Sequence, residues 1–279
     1  MLLRYIALII FSALIFISCD IVEPPYQKGG EPIPLDTAKR NVLLEDFTGF
    51  RCGNCPEAAH LAHQIAETYP GKVIKIALHA GPLSLPTPVR KYDFRTDETK
   101  ELAQYYNLIA TPYGMVNRAS FGGQTLLAPT SWGGHVTSEL EKDADLKIDL
   151  NASYSEGNKE ISLNVELEYV KPGTSDHFIA VYILEDSVVQ YQQDDREYPN
   201  IHVQNYVHDN VMRGSFTGTW GLQVSDRPIS IGQKFNLPFK YIIPESKDWR
   251  VEKLSLVVFV HDNTSKEVLQ VEKIYLFED

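Results

Sequence analysis

The sequence is poor in the residues and patterns that would assign it to several large classes. Of its 279 residues only three are cysteine, three methionine and three tryptophan. Three thiols cannot build the dense disulfide framework of a small secreted module. Basic residues are in the minority, 26 Lys and Arg against 37 Asp and Glu, and the net charge of −11 comes without a basic patch. That excludes a protein gripping a nucleic acid backbone. The chain has no P-loop, no Rossmann glycine pattern, no G-x-S-x-G, no H-E-x-x-H and no internal repeat, so no cofactor is expected. Long apolar runs are lacking too: the one at residues 5–17 is too short to span a bilayer comfortably. What is present is a composition 43% hydrophobic and 23% charged, enough to bury real cores, over a length that favours two domains.

The start reads as a signal peptide over residues 1–18: Arg4 supplies a positive n-region and residues 5–17 the apolar stretch. The stretch ends at Ser18-Cys19-Asp20 instead of a basic stop-transfer cluster. Phe16-Ile17-Ser18-Cys19 resembles a bacterial lipobox, with Phe16 and Ile17 departing from the usual Leu and small residue. Cys19 is therefore the expected lipidation site, and the membrane a partner through that lipid, each buried methylene adding roughly 0.8 kcal/mol. The alternative is an ordinary cleaved signal in which Cys19 is incidental. If Cys19 carries lipid, Cys52 and Cys55 remain, three apart and in an oxidising compartment.

Residues 19–40 hold Pro24, Pro25, Gly29, Gly30, Pro32 and Pro34 and predict a flexible tether. From residue 41 the texture changes. Residues 42–47, 72–79 and 108–117 predict strands, with 124–127 a weaker fourth; residues 56–69, 97–107 and 131–145 predict helices, the second N-capped by Asp97. This alternation is an α/β order with a mixed sheet, over 41–145. Over 146–279 helical signals vanish. Seven alternating runs, at 146–154, 160–170, 177–184, 204–216, 234–243, 254–261 and 268–277, predict an all-β, immunoglobulin-like sandwich.

Chemistry concentrates at Cys52-Gly53-Asn54-Cys55, between a strand and a helix. There the positive end of the helix dipole favours a thiolate, and Arg51 pushes the same way. A c-type haem site would need His where Pro56 stands. Zinc is a rival, since Cys52, Cys55, His60 and His63 offer four ligand types. On one helix, however, His60 would lie ~140° around the axis from Cys55, so convergence is poor. The plain alternative is a structural disulfide joining strand to helix.

The segment 42–55, VLLEDFTGFRCGNC, resembles the catalytic strand and redox helix of thioredoxin, with Asp46-Phe47 standing as the family's buried aspartate and following Phe do. Ile109-Ala110-Thr111-Pro112 is similar to the family's cis-proline loop. The resemblance implies a thioredoxin-like α/β domain over 41–145 followed by the immunoglobulin-like sandwich. It implies Cys52 as attacking thiolate, Cys55 as resolving thiol, Asp46 as a buried proton acceptor with raised pKa, and Thr111-Pro112 as a cis turn holding an extended client peptide and excluding metal. Arg51 stands where the family has Trp and Asn54 where it has Pro, so the direction of electron flow stays open.

Over its whole length the chain resembles the outer membrane protein 28-related lipoproteins, through the lipobox cysteine, the L-L-E-D-F-T-G and C-x-x-C-P segment, and a β-rich half ending in runs such as 258–262 and 267–270. This implies a lipid-anchored address at the outer membrane. The expected activity is thiol–disulfide exchange on envelope or surface proteins; the alternative is a non-catalytic adhesin or scaffold whose cysteines form a structural disulfide. The steps His208-Asp209 and His261-Asp262 are read as strand ends, and the polar, Tyr-rich stretch 191–206 as a partner-binding surface or a long solvated connection.

Overall fold

The computed structural model describes residues 39–277, so the expected signal peptide and the lipidation of Cys19 lie outside the described residues. Its axis is β1 (Val42–Thr48), all seven residues buried. Neighbours on both sides and cover on both faces explain why this run reads as continuous rather than alternating. β1 pairs in parallel with β2 (Val73–His79) and antiparallel with β3 (Tyr113–Val116). Helices α1 (Cys55–Thr68) and α3 (Trp132–Leu140) cover one face, where Ala58, Ala62, Trp132 and Val136 meet Val42, Leu44, Val73 and Val116. Leu102 of α2 (Asp97–Tyr105) covers the other, against Leu43, Ile76, Leu78 and Met115.

The sheet continues with strands from the second half of the chain. β2 meets β9 (Val211–Ser215) at Ala77, and the order runs β9, β6 (His177–Glu185), β12 (Leu254–Asp262) and β13 (Val268–Tyr275), with the short β10 (Leu222–Gln223) also on β6. A second antiparallel sheet, β11 (Lys234–Ile242), β5 (Glu160–Tyr169) and β4 (Leu146–Ser155), packs on one face of β6, β12 and β13. Its three strands alternate in burial, as a sheet with one solvated face must. Pro238 sits on β11, an edge strand, where its missing N–H breaks no ladder on the open side. The architecture is thus mostly β with few helices and a mixed main sheet, and strands from both sides of the expected boundary at 145/146 share that sheet.

The buried pair Glu45–Arg118 joins the two halves. Arg118 Nε and Nη2 donate to the two carboxylate oxygens at 2.7 and 2.6 Å, and Nη2 reaches Tyr182 Oη on β6 at 3.3 Å. Both side chains are wholly buried.

Several expectations shift. The tether was drawn to residue 40, but Lys39 already bridges to Asp143 and Arg40 is buried against Glu139, so the body starts earlier. The cap of α2 is Thr96, whose hydroxyl accepts from Thr99 N while the Thr99 side chain accepts from Thr96 N. The strand expected at 108–117 is only 113–116, since Pro112 has no N–H to give a ladder. Residues 124–127 form only isolated bridges. The run 204–216 is two strands, β8 (His202–His208) and β9, broken at Asn210, whose φ of 54° asparagine tolerates. The stretch 191–206 is no open connection: it belongs to a hairpin of β7 (Val188–Gln193) and β8.

Candidate functional site

The cysteine turn hangs between β1 and α1. Cys52 N donates to Gly49 O at 2.9 Å and Cys55 N to Cys52 O at 3.3 Å, a tight reversal that delivers the chain into the helix. A Cβ at Gly49 would lie 2.8 Å from the Leu83 carbonyl carbon, so this position requires glycine. Pro56 follows in the first turn of α1, where a lost N–H has no helical partner to miss. Cys52 and Cys55 are joined as a disulfide, with Cα atoms 5.4 Å apart. Cys52 is 3% exposed and Cys55 1%.

The β7–β8 hairpin lies over this turn. Gln193 N donates to Phe50 O at 2.8 Å and Asp195 N to Gly53 O at 3.0 Å. The buried Gln192 amide donates to Cys52 O at 3.0 Å and to Gly49 O at 3.3 Å. Phe50 and Phe94 pack on Val188, Val211 and Tyr191.

Behind the disulfide is a cavity of about 260 Å³, lined among others by Cys55, Asp46, Lys75, His79, Tyr206 and His208. Asp46 Oδ1, His79 Nδ1 and His208 Nε2 are buried there with no hydrogen-bond partner. Burial pushes the Asp46 carboxyl from 3.8 up to about 7, with Lys75 opposing. Burial also lowers His208 to about 4, and holds His79 well below the ordinary imidazole range with help from His208 and Arg213. Both imidazoles are neutral at pH 7, while the raised Asp46 carboxyl is able to give or take a proton.

The other expected residues are less centred. Arg51 donates to the Pro82 carbonyl and lies over the Phe50 ring. The Thr111-Pro112 bond is cis, and register puts it at the end of β1, since Tyr113 faces Phe47. His60 and His63 are exposed on α1; His63 contacts Glu67 and Lys75 at 3.2 Å each. No group of three or more His, Cys, Asp or Glu able to hold a metal occurs among the described residues. His261 is buried, with Nε2 at 2.9 Å from Trp220 O.

Residues 99–279 match the Outer membrane protein Omp28 family. The chain belongs to that family. Membership gives this Omp28-family protein its outer-membrane location, and no helix among the described residues is long and apolar enough to cross a membrane. No curated protein matches the chain. Among solved structures, HBP35 of Porphyromonas gingivalis is similar at 15% identity and a TM-score of 0.65, over 85% of this chain and 76% of that one. A protein from Agrobacterium tumefaciens is similar at 11% identity and 0.50, over 85% and 95%. A domain of the outer membrane lipoprotein Omp28 from Porphyromonas gingivalis is 22% identical over 48% of this chain and 88% of that one, with a TM-score of 0.31. For the first two, identities this low speak to fold alone.

Sequence reasoning missed Gln192 and Asp195, which the second half of this Omp28-family chain brings to the cysteines, and His79 with them; His208 it read only as a strand end. The signal was present in Val188-Val189-Gln190-Tyr191, a β-prone run whose polar continuation disguised it as a loop.

Proposed function

We propose that the protein is a lipoprotein held at the outer membrane through Cys19, and that its Cys52–Cys55 couple, on a thioredoxin-like module, exchanges disulfides with envelope or surface proteins. The observation that carries this is Asp46: a carboxyl whose Oδ1 has no hydrogen-bond partner, buried on the wall of the Cys55 cavity and poised at about 7. A disulfide that only staples two elements needs no proton donor, and burying such a group destabilises the fold. Strained titratable groups of this kind concentrate at working sites.

In the oxidised state described here, a client thiolate attacks Cys52 Sγ and breaks the Cys52–Cys55 bond. Cys55 leaves as thiolate and takes the Asp46 proton. The second client thiolate then attacks the client sulfur of the mixed disulfide and releases Cys52. The client leaves oxidised, with the couple reduced by two electrons; the reverse sequence reduces a client disulfide.

Cys55→Ser should trap clients on Cys52 as mixed disulfides resolvable by reductant. Recovery of none, together with a reduction potential far below about −300 mV, would mark a permanent staple. The depth of both sulfurs favours that second reading, a binding or scaffold protein with a structural disulfide. It predicts that Cys52→Ser/Cys55→Ser is less stable and still occupies its partner normally.

A further inference from the structure

We infer that the β7–β8 hairpin is a lid, the internal occupant of the row of turn carbonyls on which an extended client segment would dock, so that the couple opens to protein clients only when the hairpin lifts. This deepens the exchange reading and rests on it for its use, but not for its test.

Five observations converge. The hairpin forms a two-stranded sheet of its own, outside both larger sheets. An isolated two-stranded hairpin is marginal in water, so its position depends on what it docks against. It docks on the carbonyls of Gly49, Phe50, Cys52 and Gly53, through the backbone N–H of Gln193 at the end of β7, that of Asp195 in the turn after it, and one buried side-chain amide. This is how an added strand is recognised, by main-chain pairing, with side chains left to set preference.

Both ends of the hairpin turn on residues in left-handed backbone, Ser187 at φ 60° and Asn210 at φ 54°. They are clipped to each other's neighbours: Ser187 N donates to Asp209 Oδ1 at 2.7 Å, and Asn210 N to Asp186 Oδ1 at 2.6 Å. A root fixed in this way lets the strands swing as one piece without disturbing β6 or β9. The tip is held on α1 by Arg196 and Glu57 at 3.7 Å, both well exposed, which is a weak fastening. Meanwhile the sulfurs beneath are almost wholly covered. A cysteine turn covered by a separately paired hairpin with a fixed root and a weakly fastened tip has the form of a gate.

The lid predicts a bottleneck for any reagent that must reach the disulfide. The test is the rate at which the small phosphine TCEP reduces Cys52–Cys55 in the otherwise native chain, followed by thiol release. Gln192→Ala removes the buried amide. Asp195→Pro removes the N–H that reaches Gly53 O, together with the carboxylate that accepts from Gln193 Nε2 at 3.1 Å, at a position preceded by extended backbone. Each variant should be reduced roughly tenfold faster than the parent, because docking bonds of this kind set the open population. Hydrogen exchange on the parent chain supplies the second readout: the amides of Gln193 and Asp195 should open together and well before those of β6.

Uniform reduction rates would overturn the lid. So would hairpin amides that exchange only with β6, whatever the rates, because the hairpin would then be a fixed part of the body. The two readings fail separately. Faster reduction without trapped clients sinks exchange and leaves the lid; trapped clients with uniform rates sink the lid and leave exchange.

Discussion

Urea unfolding at pH 8 should find Asp46→Asn more stable than the parent chain by about 4 kcal/mol, and at pH 4 the two should be nearly equal. The folded carboxyl titrates near 7 and the unfolded one near 3.8, so between these values the folded state binds the extra proton. Stability attributable to this group is therefore greatest below 3.8 and is lost as pH rises through 7. Three units at about 1.4 kcal/mol each give the size of the loss. An amide cannot ionise and escapes it. A difference that does not grow with pH would show that Asp46 is not titrating in a dry site. In the exchange reaction the same variant leaves Cys55 without its proton partner, and the step that breaks or re-forms the Cys52–Cys55 bond should slow by at least ~100-fold, the usual worth of a positioned acid or base. A variant that gains stability while losing rate would separate the group's chemical use from its structural burden.

Arg118→Met should destabilise the protein by about 3–5 kcal/mol, because it abandons the Glu45 carboxylate in a site with no solvent contact. Glu45→Gln added to that variant should recover much of the loss, since a neutral amide is far easier to bury than a lone charge. Denaturant titrations of the parent, both single variants and the double variant form the cycle that measures this. If Arg118→Met proves harmless, the pair contributes nothing and the Tyr182 contact on β6 does not join the halves. The guanidinium also lies 4.9 Å from the Phe259 ring centroid, on β12, so the substitution removes a contact to each of two strands of the second half.

How much could be read from the sequence follows from how local each signal is. Helix α1, with Pro56 in its first turn, and strand β2, the run VIKIALH, are written in consecutive residues and were legible. So were the alternating strands β4, β5 and β11, each with one wet face. Asp46 and the two cysteines were legible as a set because their spacing is fixed along one strand and one turn. The hairpin over them was not, since its fit is decided by carbonyls about 140 positions earlier in the chain, and Gln192 looks like any surface glutamine until its amide is found on Cys52 O. His79 likewise only ends a predicted strand in the sequence, and it is Phe94, stacked on its ring at 4.1 Å, and His208, 5.5 Å away, that make it a buried neutral imidazole. The joining of both halves in one sheet rests on a single pairing, Ala77 with Val211, which no pattern in either strand announces.

The way the body begins has a mechanical corollary. Arg40 Nη1 bonds Glu139 and Glu267, and Asn41 bonds the Gln270 side chain, the Val271 carbonyl and the Glu272 carboxylate. Tension arriving along the preceding residues would load these bonds together, spread over α3 and the final strand, instead of unzipping β1 from one end. The last strand thus acts as a strain relief for the first, and trimming it would loosen the mooring at the opposite end of the polypeptide.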